Sequence, residues 1–199
     1  MAQLKMYWLT ENDLPQLTLP AGYEWVHYKG PEDWHLWNEC IRTGDPLTPE
    51  EEAANFKREI FDFKEIVPER DVWFLDHNGE HVATVTNFIW DSGIGDMHWV
   101  GVRPDHRGLG LSKYLSNIVQ KTLKERGVPF VSLTTGEGRP WAVKSYLTAG
   151  FLPVEYDEGM VERWLKVMDT FGIDELQMLD EEAKPFKMLR RKAEGGRRN

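Results

Sequence analysis

The sequence predicts a mixed α/β fold in which a mostly antiparallel sheet contains a central parallel strand pair and is flanked by helices. Three strand-like segments follow one another at residues 72–76, 82–89 and 97–102. The dipeptide Asn78-Gly79 between the first two is typical of a tight hairpin turn, because both residues accept positive φ. The pattern then changes to an apolar helical stripe over residues 109–126 and a strand at 130–133. Since such a helix normally joins parallel strands, this crossover predicts the parallel pair.

The segment before these strands is expected to form one short strand and two helices. Residues 23–28 are rich in β-forming side chains, and residues 31–42 place apolar residues near one helical face. The second helix has a marked start, because Thr48 as N-cap, Pro49 after it and Glu51 form a capping box. Apolar residues spaced by three or four predict its buried face: Phe56, Ile60, Phe63 and Val67.

The segment after residue 133 is interpreted as a helix followed by a hairpin. Residues 140–149 form the predicted helix, which ends at Gly150. Residues 151–156 and 160–167 are interpreted as two strands that pair across residues 157–159, and the second of them also fits a helix.

Composition and charge exclude several classes of protein. The 24 Lys and Arg against 33 Asp and Glu give a net charge of −9, which disfavours nucleic acid as a partner, since that needs a basic face. No apolar run reaches the roughly 18–20 residues that span a bilayer, and the first 20 residues lack the apolar centre of a signal peptide. We therefore expect no membrane association and a cytoplasmic location.

Cysteine and histidine usage predicts no metal centre. Cys40 is the one cysteine, so it forms no internal disulfide, and a reducing compartment is indicated. His77 and His81 flank the predicted hairpin turn, and the sequence offers them no third ligand.

The most informative segment is residues 100–112, where a strand runs into a glycine-containing loop and an amphipathic helix begins directly afterwards. Gly108 and Gly110 let the backbone approach a ligand closely, and the amides at a helix start favour a phosphate. Arg107 and Lys113 would add positive charge. The alternative is an ordinary strand–helix turn whose glycines serve close packing. A dinucleotide fingerprint is excluded because it needs a glycine at Lys113, and the P-loop motif is absent.

Two motifs resemble the GCN5-related N-acetyltransferase (GNAT) family. The family's loop reads Arg/Gln-x-x-Gly-x-Gly/Ala, and Arg107, Gly110 and Ser112 occupy these positions, with serine as another small residue. The second motif, Tyr-x-x-x-Gly-Phe at a helix end, is found as Tyr146 to Phe151. Arg139 stands where the family often has asparagine. The resemblance covers about residues 72–167.

The resemblance implies that acetyl-CoA binds where the sheet splays, between residues 97–102 and 130–135. The pyrophosphate would bind the backbone amides of the loop. The pantetheine would form hydrogen bonds with the backbone of the strand at residues 97–102, as an added strand does. The implied cofactor-binding residues are Val100, Val102, Arg107, Gly108, Leu109, Gly110, Leu111, Ser112 and Lys113.

The resemblance also implies the catalytic residues. Tyr146 would be the acid for the leaving CoA thiolate; its alternative is packing on the sheet. For the base, Asp96 falls where histone-type members use a glutamate, and His98 falls where arylalkylamine-type members use a histidine. The period of two predicts that Asp96, His98, Val100 and Val102 share one strand face. Alternatively, His98 is a hydrogen-bonded core histidine and Asp96 is a turn aspartate. A water chain to the solvent could then serve as base in place of both.

The function predicted in this way is direct acetyl transfer from acetyl-CoA to a small primary amine, without a metal. An acidic chain with tryptophans near the acceptor side favours a cationic, partly apolar amine. A homodimer is compatible with the sequence. The alternative function is a non-catalytic acyl-CoA-binding regulatory module.

The predicted domain organisation is a single acetyltransferase domain with a C-terminal extension. A chain of 199 residues fits one domain with a decorated end. We expect residues 1–168 to form the domain and residues 169–199 the extension. Its last thirteen residues hold six basic residues, and we expect them to be flexible and to fray from the domain.

Overall fold

The computed structural model of the chain describes residues 3–191. Contacts divide the chain into two compact units, residues 10–131 and residues 1–9 with 132–199. The strands are β1 (Leu4–Leu9), β2 (Tyr23–His27), β3 (Val72–His77), β4 (Glu80–Ile89), β5 (Gly95–Val102), β6 (Phe130–Thr135), β7 (Leu152–Pro153), β8 (Glu175–Leu179) and β9 (Pro185–Arg190). The α-helices are α1 (Asp33–Ile41), α2 (Pro49–Phe56), α3 (Pro68–Asp71), α4 (Ser112–Glu125), α5 (Pro140–Thr148) and α6 (Met160–Phe171).

The unit of residues 10–131 contains an antiparallel sheet in the order β2-β3-β4-β5. The predicted hairpin turn between β3 and β4 is confirmed, with φ values of 55° at Asn78 and 86° at Gly79. Strand β6 begins in this unit and continues into the other. The predicted fold class is confirmed: the protein has a mixed α/β fold with a mostly antiparallel sheet, one parallel strand pair and flanking helices.

Helices α4 and α1 cover opposite faces of β5. A Cβ atom built on Gly95 would meet the Leu123 side chain of α4 at 2.9 Å. A Cβ atom built on Gly101 would instead meet the Cys40 carbonyl oxygen of α1 at 2.5 Å. The two glycines therefore let a helix approach the same strand closely from each side.

An aromatic core lies in the unit of residues 10–131. Its rings contact one another, with 5.2 Å between the centroids of Tyr28 and Phe56 and 5.1 Å between those of Trp37 and Phe56. Burial of rings of this size is a large part of what stabilises such a unit. The buried members of this core are Tyr28, Trp37, Phe56, Ile60, Ile66, Val72, Phe74 and Phe88.

Helix α2 starts as predicted and ends earlier than predicted. The Thr48–Glu51 capping box is present, and Phe56 and Ile60 are fully buried. The helix then passes into a π-helical turn at Lys57–Phe61, which changes the phase of the side chains that follow. The prediction that Val67 is on the buried face is wrong, because Val67 precedes a proline, has an extended conformation and is 43% exposed.

The unit of residues 1–9 and 132–199 differs most from the prediction. Strand β1, which was not predicted, pairs antiparallel with β7, with Met6 opposite Pro153. The interpretation of residues 160–167 as a strand is wrong, since they belong to α6. Met160, Trp164 and Met168 recur every fourth residue there and are fully buried.

The C-terminal extension contains a second sheet, formed by β8 and β9. Lys187–Arg190 belong to β9 and Leu189 is 2% exposed, so for these residues the prediction of a frayed tail is wrong. Residues 192–199, to which the same prediction applied, lie outside the described residues.

Candidate active site

A β-bulge interrupts β5 at Trp99 and Val100. Thr86 of β4 is opposite His98, whereas Thr84 is opposite Gly101, so two residues of β5 face one residue of β4. Trp99 has a φ of 44°, a left-handed conformation that is uncommon for a tryptophan. Strain of this kind clusters at functional sites, so the bulge makes the middle of β5 a candidate functional site.

The bulge overturns the prediction that Asp96, His98, Val100 and Val102 share one strand face. Gly95 faces α4 and Gly101 faces α1, although they are six positions apart and the parity of an uninterrupted strand would point both in the same direction. Asp96 and His98 therefore lie on the α1 face, whereas Val100 and Val102 lie on the α4 face. The period of two fails here because the bulge inserts one unpaired residue.

His98 lies in an aromatic environment on the α1 face. Its ring centroid is 5.1 Å from that of Phe63, 5.8 Å from Phe88 and 5.5 Å from Trp99. This burial lowers the pKa of His98 to about 4, and the nearby Glu59 carboxylate and a hydrogen bond with the Glu59 backbone oppose the effect only in part. The imidazole is therefore neutral near pH 7. Its Nε2 atom is buried and has no hydrogen-bond partner among residues 3–191.

Asp96 lies two residues before His98 on the same face. Trp90 Nε1–H donates a hydrogen bond to Asp96 Oδ2 at 3.2 Å, and Asp96 is half-buried near the N-terminal end of β5. The structure thus brings the two predicted base candidates to one face of one strand.

Trp99 also lies on this face, and Glu59, a residue that the sequence did not suggest, contacts it there. Trp99 Nε1–H donates a hydrogen bond to Glu59 Oε2 at 3.1 Å, and its ring centroid is 6.0 Å from that of Trp37. Glu59 belongs to the π-helical turn. In the sequence it appears as one of many charged residues on a helix, so no signal distinguished it.

The glycine-containing loop has the backbone geometry of an anion-binding site. Gly108 and Gly110 have φ values of 79° and 71°, and a Cβ atom on either would meet no other atom within 4 Å. Within residues 3–191, no acceptor is present for the backbone N–H groups of residues 108–111. Helix α4 begins at Ser112 and adds its dipole.

The two cations of the loop have different surroundings. Arg107 Nε donates a hydrogen bond to the Val102 carbonyl oxygen at 2.9 Å, and its Nη2 donates to the Arg42 carbonyl oxygen at 3.3 Å. Arg107 thereby ties the loop to the end of β5 and to the residue after α1. Lys113 is exposed, with its Nζ 4.8 Å from the ring centroid of Tyr114, and remains available to an anion.

Tyr146 belongs to the other unit, on α5. Its ring contacts that of Phe151 edge to face at 6.1 Å, and Gly150, with a φ of 85°, lies between the helix and Phe151. Burial raises the pKa of Tyr146 to about 12, although the charge of Arg139 acts in the opposite direction. The phenol is therefore protonated throughout the neutral range.

Two kinds of site are not found in the described part of the chain. No group of three or more His, Cys, Asp or Glu residues in it is arranged to hold a metal ion. None of its helices is long and apolar enough to cross a bilayer.

A bulged strand, a glycine-containing loop and a helix N-terminus thus lie in one unit of the chain. The model of the acetyltransferase (GNAT) family matches residues 32–151. The chain belongs to this family, which confirms the resemblance found in the sequence.

Curated relatives carry a more specific name. The chain is 25% identical over 146 residues to a mycothiol acetyltransferase of Thermomonospora curvata, which covers 72% of this chain and 48% of that protein. It is 28% identical over 158 residues to the mycothiol acetyltransferase of Streptomyces coelicolor, covering 75% and 49%. The chain thus spans about half the length of these relatives.

Solved structures share the fold. A GNAT-family acetyltransferase from Colwellia psychrerythraea has a TM-score of 0.57 at 16% identity, over 76% of this chain and 53% of that one. A GCN5-related N-acetyltransferase from Sphaerobacter thermophilus has a TM-score of 0.56 at 22% identity, over 75% and 47%.

Proposed function

We propose that the protein transfers an acetyl group from acetyl-CoA directly to a small primary amine. The observation that carries this proposal is the combination, in one unit of the chain, of an open amide loop at residues 108–111 with a neutral imidazole beside the bulge of β5. The loop suits a pyrophosphate, and the imidazole suits a proton that leaves an amine.

The residues of the loop fit acetyl-CoA. The loop offers backbone amides without acceptors among residues 3–191, two glycines with positive φ and the N-terminus of a fourteen-residue helix, and such groups bind phosphate oxygens. Gly108, Leu109, Gly110 and Leu111 would supply these amides, with Ser112 and Lys113 at the helix start. Val100 and Val102 would offer backbone groups to the pantetheine. The bound cosubstrate supplies the thioester, whose carbonyl carbon accepts the amine.

His98 is the base that we favour. Its imidazole is neutral, so a ring nitrogen is available to the proton that the amine nitrogen loses as the new C–N bond forms. Because a pKa near 4 makes it a weak base, we expect His98 to act mainly by accepting a hydrogen bond from that N–H as the proton leaves. Asp96, on the same face, is the second candidate.

Tyr146 is the group that we propose for the leaving thiolate. Complete proton transfer from a phenol of pKa about 12 to a thiolate whose thiol has a pKa of about 8.5 is uphill by roughly 5 kcal/mol. We therefore expect Tyr146 to stabilise the thiolate by donating a hydrogen bond as the C–S bond breaks.

A small cationic acceptor fits the residues near His98. The rings of Phe63 and Trp99 and the Glu59 carboxylate lie beside it, and such groups attract an ammonium ion with an apolar substituent. The relatives named mycothiol acetyltransferase support a small-molecule acceptor.

Three further expectations from the sequence stay predictions. They are a cytoplasmic location, a possible second copy as partner, and the division into an acetyltransferase domain at residues 1–168 and an extension at 169–199.

The experiment that tests the function separates binding from turnover. Calorimetry with acetyl-CoA measures binding, and release of CoA thiol is then followed across matched cationic, neutral and acidic acceptors. The proposal expects binding, and thiol release that depends on an amine and is fastest with cationic ones. Binding without release for any amine would favour the regulatory-module alternative, and failure to bind any CoA ester would exclude both.

A further inference from the structure

The π-helical turn after α2 places one residue against the start of the β5 bulge. Helices rarely contain π turns, and those that do often have them at functional sites. Here the turn covers Lys57–Phe61 and carries Glu59, whose side chain is only 17% exposed although the neighbouring Arg58 side chain is 65% exposed. Glu59 thus points inward from this turn, next to the fully buried Ile60.

Glu59 contacts His98, which directly precedes the bulge, and Trp99, the first residue of the bulge. Its Oε2 accepts the hydrogen bond of Trp99 Nε1–H at 3.1 Å, and its backbone forms a hydrogen bond with His98. Its Oε1 accepts a hydrogen bond from Arg58 Nε at 2.6 Å, which fixes the carboxylate from the outside. One residue therefore determines the orientation of an imidazole and of an indole that are adjacent in the chain.

We propose that Glu59 is a positioning residue of the acceptor side, which holds His98 and Trp99 in the arrangement that receives the amine. The inference rests on the proposed function, because it assigns His98 a role in amine deprotonation. The inference goes beyond the proposed function, because it identifies a residue outside both family motifs that acts through His98 and Trp99.

The charge of Glu59 also acts on His98. The groups that face the imidazole are the rings of Phe63 and Phe88, the Thr86 side chain across the strand pair, and Glu59 with its partner Arg58. Asp96 is the other acidic residue on the same face of β5. The Glu59 carboxylate raises the pKa of His98 against the larger effect of burial, so its removal lowers that pKa further.

Three variants in the full chain test the proposal. Glu59→Ala removes the acceptor for Trp99, Glu59→Gln keeps an acceptor oxygen and removes the charge, and Asp62→Asn is the control. Asp62 follows the same turn, pairs with Lys57 and is 51% exposed, so it offers a carboxylate without these contacts. The readouts are amine kinetics from pH 3 to 9, a range that includes the His98 pKa of about 4, acetyl-CoA affinity by calorimetry, and the indole N–H resonance of Trp99, assigned with Trp99→Phe.

We expect Glu59→Ala to lower kcat/KM for the amine by about 10- to 100-fold, the usual effect of losing a hydrogen bond to a charged group, with acetyl-CoA affinity changed less than about threefold. Glu59→Gln should keep more activity and move the acid limb of the pH profile to lower pH. The Trp99 resonance should move in Glu59→Ala and stay in Asp62→Asn.

Two results would overturn the inference. One is a Trp99 resonance unchanged in Glu59→Ala, which is measured without any turnover and so is independent of the proposed function. The other is a wild-type level of amine kinetics and an unmoved acid limb in both Glu59 variants. If the wild-type protein acetylates no amine while the Trp99 resonance responds, the proposed function and the role assigned to Glu59 in it fail, and only the contact stands.

Discussion

Gly101 of β5 lies against the backbone of Cys40 of α1, at a distance that leaves no room for a side chain. A Cβ atom on Gly101 would be 2.5 Å from the Cys40 carbonyl oxygen and 2.9 Å from the Ile41 nitrogen. Because both contacts are with backbone, neither can be relieved by a rotamer change. The close approach lies two residues after Trp99 and one residue before Val102, to which Arg107 is tied. It therefore links α1 to the strand that carries the proposed site.

Gly101→Ala is expected to destabilise the protein by about 1–3 kcal/mol, the range for overpacking a close contact. The measurement is the free energy of unfolding in urea. Gly44→Ala is the control, since a Cβ atom there meets nothing within 4 Å. Equal stability of the two variants would contradict the close approach.

Gly110→Ala is expected to weaken acetyl-CoA binding by about tenfold, because an L residue at positive φ costs roughly 1–2 kcal/mol and the loop would relax away from its ligand-binding conformation. Gly127→Ala is a matched control, with a φ of 77° and open space, at the far end of α4. Calorimetry should show an affinity loss for Gly110→Ala only. A similar loss in both variants would assign the effect to general strain.

Tyr146→Phe is expected to lower kcat by about 10- to 100-fold while acetyl-CoA affinity stays near that of the wild type, because the hydrogen bond is lost only as the thiolate forms. With a pKa of about 12, the phenol should cause no fall in kcat below about pH 11. Tyr23→Phe in the other unit is the control. Full turnover in Tyr146→Phe would remove this residue from the mechanism.

His98 should make the protein less stable in acid. Its pKa is about 4 in the folded protein and about 6.5 when unfolded, so below pH 6.5 the unfolded chain binds a proton that the folded chain does not. The stabilisation is complete above pH 6.5 and is lost as the pH falls towards 4, by up to about 3 kcal/mol. His98→Gln should flatten this part of the curve of unfolding free energy against pH. An unchanged slope in His98→Gln would contradict the buried neutral imidazole.

Local signals in the sequence predicted the elements that local chemistry determines. The Thr48 capping box and the Asn78-Gly79 turn depend on a few neighbouring residues, and both are present. The loop with Gly108 and Gly110 was recognised for the same reason, since its glycines and the helix after it are contiguous in the chain.

Features that depend on tertiary contacts were missed or misread. The β5 bulge exists because of the strand pairing with β4, and periodicity alone could not place Trp99 and Val100. Strand β1 has no alternating pattern because Met6, Tyr7 and Trp8 are all buried. Residues 160–167 contain β-forming residues, which favoured the interpretation as a strand. In the folded unit every fourth residue of this segment is buried, and this spacing is typical of a helix. The π turn that orients Glu59 has no sequence signature of its own.

The most direct test of the central claim is to mix the protein with acetyl-CoA and a small primary amine and to measure the released CoA thiol together with the mass of the amine product. The account predicts one N-acetylated amine for each thiol released, and release that requires the amine. Acetyl-CoA that binds and stays intact with every amine, or thiol release without an N-acetylated product, would contradict it.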